Sequence, residues 1–346
     1  MTAVDFEIDA AGTLPVEAIP RLARRAEEAG FAGIWKGETN NRDPVALLAA
    51  CATATSSPLL GSAILHLLAR SPVAAGMAAA TLNELSGGRF VLGLGVANPT
   101  LARWHGVRFQ RPLAMARDYV AIVRQVYAGE RVTWAGEAFS AHDFRLAGAR
   151  PRFPLRIVLA ALGPRMSRLA GEIADGVLIN MGVPSAVREI AGWAREGALA
   201  AGKDPATLDI VVKFRVVLTD NQAAGRDALR PTVAAYCRAP GYRELLARSG
   251  FAADLERIEA AWRSGGFSAA IRAVDDAMLE RVPAAVVADP AAVRPLLDDY
   301  LDAGATRLLL PLIPVSDDPA AETERFLAGW QRGEAQGDQR ETTPPA

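Results

Sequence analysis

Short runs that are apolar at nearly every position alternate along this chain with longer runs that are apolar on one side only. Unbroken apolarity over strand length marks a parallel strand covered on both faces, and spacing at three and four residues marks an amphipathic helix. VDFEID predicts strand one. PVEAIPRLARRAEEAG predicts a helix with Pro15 near its start and Gly30 just past its end, and FAGIWKG predicts strand two. DPVALLAACATAT is helix two with Asp43 as N-cap, and LLGSAILH is strand three. SPVAAGMAAATLNEL is helix three, with Ser71 as cap, Pro72 in first position and Gly87 after its end. RFVLGLGV is strand four. An excursion, ANPTLARWHGVRFQ, precedes helix four, PLAMARDYVAIVRQVYAG, and RVTWAGEAFSAHDF predicts a small hairpin or extended segment.

LRIVLAAL, DGVLIN and LDIVVKFRVVLT then predict strands five, six and seven, separated by the helices GPRMSRLAGEI and PSAVREIAGWAREGALAAG. From Asn221 to about Val282 the pattern is mainly helical and too long for one barrel helix, so it reads as an insertion. DPAAVRPLLDDYLDAG predicts a helix leading into strand eight, TRLLLPL, and PAAETERFLAGWQRG the last helix. Residues 334–346 read as a polar, disordered tail. Eight strands in alternation with helices predict an α/β fold, a single (β/α)8 TIM barrel over residues 1–333 with the insertion at about 221–282. The alternative is a doubly wound sheet with a second domain, which the lack of a linker-like stretch disfavours.

Composition changes little in this picture but removes several function classes. The 346 residues are 51% hydrophobic and 22% charged, with a net charge of −1, so nothing points to nucleic acid or to a membrane surface. Cys51 and Cys237 lie far apart and only His66, His105 and His142 are available, so no Cys/His metal site is expected. The start MTAVDFEIDAAG lacks a basic, apolar leader, and no apolar run reaches membrane-spanning length; the expectation is a soluble, cytoplasmic protein.

The chemistry centres on SGGRFVLGLGV. Gly93 and Gly95 are followed by Val96, Ala97, Asn98 and Pro99, so the third glycine of a dinucleotide fingerprint is missing. At the C-terminal end of a barrel strand such glycines either admit a flat ligand or relieve crowding among inward side chains. LGPRMSRLAGE has its own physical reading. Gly163 turns the chain, Pro164 suits the first helical position, and the free N–H groups near Met166, with Arg165, form an anion site; the alternative is a routine βα turn.

LSGGRFVLGLGV, AALGPRMSRLAGEIADGVLIN and GFAGIWKGETNNRDPVALLAACATAT together resemble the luciferase-like monooxygenase superfamily. Within it they are most similar to the branch using the deazaflavin coenzyme F420, which includes methylenetetrahydromethanopterin reductase. The resemblance runs over about 4–200 and 285–330 and implies coenzyme F420, with FMN as the alternative. It implies that the Gly163, Pro164, Arg165 and Met166 turn receives the coenzyme phosphate or its neighbouring tail. It also implies a non-proline cis peptide at Ala63–Ile64, in a strand-three bulge beneath the ring, with Gly95 and Asn98 also at the cofactor. Relatives often place an Asp-His pair where this chain has Glu38-Thr39, and a glutamate where it has Ala97-Asn98. Asn98 is no general base at neutral pH. These departures favour hydride transfer from the reduced deazaflavin to a small organic substrate with an activated double bond, with Glu38 and His66 as groups for proton delivery. An FMN-dependent two-component monooxygenase and a non-catalytic coenzyme-binding protein are the competing readings. Relatives commonly dimerise, and AAGMAAATL would pack against a partner or against its own barrel.

Overall fold

The computed structural model describes residues 3–148 and 151–341. Eight strands form the barrel: β1 Ala3–Glu7, β2 Gly33–Lys36, β3 Leu59–Ser62, β4 Phe90–Gly95, β5 Arg156–Ala160, β6 Gly176–Ile179, β7 Asp209–Lys213 and β8 Arg307–Pro311. All pair in parallel. β1 joins β8 and β2, while β3 joins β4, so the ring closes without an edge. Helices α1 Ile19–Glu28, α2 Pro44–Ala54, α3 Pro72–Leu85, α4 Pro112–Tyr127, α5 Pro164–Ile173 and α6 Pro184–Ala200 lie between successive strands, and α7 Pro319–Glu341 follows β8. The predicted caps form: Asp43 accepts from Ala46 N at 3.0 Å and Ser71 from Ala74 N at 3.1 Å.

A separate cluster of Trp35, Ala63, Val91, Val158, Leu178, Val211 and Leu309 fills the bore. The Trp35 indole crosses it; a Cβ on Gly61 would lie 2.1 Å from the ring. Trp35 Nε1 donates to Asp5 at 2.8 Å, and Arg307 donates twice to the same carboxylate at 2.6 and 2.8 Å. This buried layer plugs the lower bore and leaves the C-terminal ends of the strands for a site.

The structure departs from the pattern-based reading in three places. The expected seventh strand breaks at Phe214. β7 stays in the barrel, whereas Arg215–Leu218 leaves it to pair in parallel with Ala284–Val287, a strand the pattern did not reveal. The helix expected over 289–304 begins as a 3-10 turn at Pro290–Leu297 and becomes α-helical only at Asp298–Asp302. Pro295 sits inside that turn and has no N–H for an i−4 bond. α7 runs on into the polar stretch read as tail, and residues 342–346 lie outside the described residues.

The stretch from Asn221 is helical at Gln222–Arg238, Pro240–Leu246, Ala252–Arg272 and Asp276–Leu279. The small-residue face of α3 packs within the molecule: Ala75 and Ala79 are buried, and a Cβ on Gly76 would lie 2.6 Å from Val126 of α4. Among the described residues no helix is long and apolar enough to cross a membrane, and no group of three or more His, Cys, Asp or Glu could hold a metal.

Candidate active site

A cavity of about 1320 Å³ opens at the C-terminal ends of the strands. Glu38, Ala63, Ile64, His66, Gly95, Asn98, Gly163, Pro164, Arg165 and Met166 all line it, although β2, β3, β4 and β5 carry them separately. The placement rule for barrels accounts for this: each residue follows, or ends, a strand at the same face.

The floor is an interruption in the third strand. After Ser62 the chain leaves the ladder, the Ala63–Ile64 peptide is cis, and pairing with β4 resumes at Leu65–His66. Neighbouring strands hold this bulge by its backbone. Ala63 N donates to Lys36 O and Glu38 N to Ile64 O, each at 3.0 Å, and Lys213 Nζ donates to Ala63 O at 2.7 Å.

The two strand-four glycines serve the same bulge. A Cβ at Gly93 would stand 1.8 Å from the Ser62 carbonyl oxygen, and the Ser62 hydroxyl both donates to Gly93 O and accepts from Gly93 N at 2.8 Å. A Cβ at Gly95 would stand 2.5 Å from the Ile64 side chain. Gly93 is therefore required by packing, and Gly95 makes room for the bulge where it meets the cavity.

Glu38 is anchored at both oxygens. One accepts from the His66 backbone N–H at 2.6 Å and the other from Arg70 at 2.6 Å, with Asp43 as a second partner of Arg70 at 2.9 Å. The His66 side chain is different. The residue is 6% exposed, and neither ring nitrogen has a hydrogen-bond partner. Burial pushes the His66 pKa below its ordinary value, outweighing the neighbouring Glu38 charge, so the ring is neutral at pH 7. Asn98 turns its side-chain oxygen away from the role of free ligand. It caps the short helix Pro99–Trp104, accepting from Thr100 N at 2.9 Å and Leu101 N at 3.1 Å. At α5, Gly163 is the N-cap and provides no side-chain cap, so the Arg165 and Met166 N–H groups are left without a side-chain partner in a turn that lines the cavity.

Pattern reading missed a second set of polar groups. Glu7 and Lys213 form a buried ion pair at 2.8 Å against the bulge carbonyl. Lys36, fully buried, donates to Asp9 O at 2.7 Å and has its pKa lowered by burial. Arg215 is 6% exposed and donates to Asn180 Oδ1 at 2.7 Å, beside Tyr236 and Tyr242, whose rings lie 4.4 Å apart. The sequence carries a signal for Glu7, Lys213 and Arg215: acids alternate with apolar residues in VDFEID, and two cations interrupt the apolar run IVVKFRVV. Lys213 and Arg215, two residues apart, share a side of an extended chain.

The model of the family described as luciferase-like monooxygenase matches residues 2–307. The chain belongs to this family. A protein of Mycobacterium tuberculosis named as a coenzyme F420-dependent oxidoreductase is 31% identical to it over 325 residues, 86% of this chain and 92% of that protein. The 5,10-methylenetetrahydromethanopterin reductase of Methanolobus tindarius is 31% identical over 311 residues, 88% of this chain and 93% of the reductase. The solved coenzyme F420-dependent tetrahydromethanopterin reductase from Methanopyrus kandleri has a TM-score of 0.78 at 24% identity, covering 95% of this chain and 97% of that one, and shares the barrel fold.

Proposed function

We propose that the protein is a coenzyme F420-dependent oxidoreductase, acting as a reductase on a small organic substrate with an activated double bond. The observation that carries this reading is the similarity to a relative named as F420-dependent, over 86% of the chain, together with a cavity fitted to a flat cofactor with an anionic tail. The fit rests on this chain's own groups. The Ala63–Ile64 bulge offers a backbone surface for the ring, and the buried, unpartnered His66 imidazole lines the same cavity. The uncapped start of α5 with Arg165 suits the phosphate-bearing tail. When bound, the deazaflavin supplies hydride exchange at a carbon of its central ring.

The protein's part is to position and to manage protons. Glu38, held by Arg70, fixes the backbone of His66 and thereby the bulge. His66, neutral and unpartnered, is the group that hands a proton to or takes one from the substrate side. With Asn98 engaged as a cap and Glu38 in an ion pair, neither of these two residues offers a free carboxylate base at the bulge, which supports reduction of a polarised C=C, C=N or C=O bond. The test is turnover of reduced F420 by the purified protein against enones, imines and ketones. Acceptor-dependent oxidation supports the reading; tight binding without oxidation across the panel would identify a carrier instead, and activity only with reduced FMN and oxygen a monooxygenase.

A further inference from the structure

Arg215 is a buried cation with no carboxylate partner among the described residues. Its Nη2 donates to the neutral Asn180 amide at 2.7 Å and to Tyr236 Oη at 3.4 Å, its Nη1 reaches Met181 Sδ at 3.4 Å, and the guanidinium stands 5.2 Å from the Tyr236 ring centroid. Apart from the exposed Arg165 at the α5 start, the other Lys and Arg residues of the cavity wall are balanced: Lys213 by Glu7, Arg111 by Glu137, Arg117 by Glu172. A guanidinium withdrawn from water without a counter-charge is costly, and neutral partners compensate it only in part. The position is also informative. β7 is the fourth strand from β3 in either direction around the ring, so Arg215, just past its end, faces the cavity from the side opposite the bulge. The α5 start, assigned to the cofactor tail, lies at the end of β5.

We infer that the substrate carries a carboxylate, which completes the charge balance of Arg215 and is held there with help from the Asn180 amide and the Tyr242 hydroxyl. Asn180 Nδ2 donates to Tyr242 Oη at 2.9 Å, which leaves the phenolic hydrogen of Tyr242 free to donate. A single buried cation without a counter-charge matches a monoanion, and the planar guanidinium matches a planar carboxylate. This inference rests on the oxidoreductase reading for the identity of the occupant as substrate.

Cinnamate and cinnamamide are suitable probes, alike in shape and different in charge; phenyl phosphate adds a dianion. Calorimetric titration is run on the protein with and without F420, for wild type, R215Q and R215K. Wild type should bind cinnamate about tenfold or more tightly than cinnamamide, and R215Q should bring that ratio near one, with R215K between. F420 affinity should stay within about twofold in R215Q. Equal affinity for acid and amide, or no binding of the acid, overturns the proposal. So does a preference for phenyl phosphate over cinnamate, or a loss of F420 affinity in R215Q, which would assign Arg215 to the cofactor. If R215Q fails to fold, the wild-type ratio and R215K decide. Failure of the F420 reading alone would appear as absent F420 binding with the acid preference intact.

Discussion

Replacing Glu38 by glutamine separates positioning from proton transfer. The substitution keeps the shape of the side chain but removes the charge that accepts from Arg70 and from the His66 N–H, both at 2.6 Å. The pair is mostly enclosed, with side-chain exposures of 18% for Arg70 and 9% for Glu38, and Arg70 keeps Asp43 as a second partner. A hydrogen bond to a charged group contributes about 1.5–3 kcal/mol, and the remaining partner of Arg70 limits the net loss to about 2 kcal/mol. At about 2.1 cal/mol/K of unfolding entropy per residue, that loss lowers Tm by about 3 °C.

On the proposed seating of the ring against the bulge, whose backbone Glu38 holds, part of the same free energy is lost from cofactor binding. The F420 Kd should rise about 5–30-fold, the equivalent of 1–2 kcal/mol. R70M should reproduce the effect, and the double variant should be little worse than either single one, since the two side chains act through one contact. The assays are fluorescence titration of F420 and scanning calorimetry on the four proteins of this cycle. An E38Q protein with unchanged Kd and Tm but a large loss of kcat, beside an R70M protein with normal kcat, would rule out a positioning role and make Glu38 a proton carrier.

Gly93→Ala should be far more disruptive than its size suggests. Its Cβ would stand 1.8 Å from the Ser62 carbonyl, and overpacking with loss of the Ser62 hydrogen bonds should cost about 3–5 kcal/mol, or about 4–7 °C in Tm. Gly163→Ala, whose Cβ would meet nothing within 4 Å, should change Tm by no more than about 1 °C, and similar Tm losses for the two would contradict the packing account. For His66, burial lowers the folded pKa below 6.5, so the unfolded chain takes up a proton first as the pH falls. Its contribution to stability is thus present above about pH 6.5 and lost on acidification; an NMR titration of the His66 ring with a midpoint above 6.5 would contradict this. Burial opposes ionisation of Glu27, but hydrogen bonds from the Ser56 and Ser57 hydroxyls and N–H groups overcome it and lower its pKa from 4.5 to about 2. E27Q should cost about 1–2 kcal/mol above pH 4.5 after allowance for solvent screening, with the difference from wild type vanishing towards pH 2, as followed by urea denaturation.

The barrel was legible because its strands carry their burial in their composition. RFVLGLGV and TRLLLPL are apolar at nearly every position since both faces are covered, and Asp43 and Ser71 announce their helices by a chemistry that needs no distant partner. The break at Phe214 was hidden because KFRVVL suits extended chain on either side of it; only pairing with 284–287, far along the chain, draws Arg215–Leu218 out of the ring. Lys213 shows the same limit within the site. A lone lysine in an apolar strand is visible as an anomaly, but its partner Glu7 is 206 residues away and the bulge carbonyl 150. Likewise, the residues at the bulge were marked by family resemblance, while the roles of Gly93 and Gly95 follow from atoms of Ser62 and Ile64 that belong to a different strand.

Parallel titration of the purified protein with coenzyme F420 and with FMN, followed by cofactor fluorescence, decides which cofactor the barrel is built for. F420 should bind with a Kd of about 1 µM or lower and FMN at least about tenfold more weakly. Tighter binding of FMN, or no binding of F420, would contradict it.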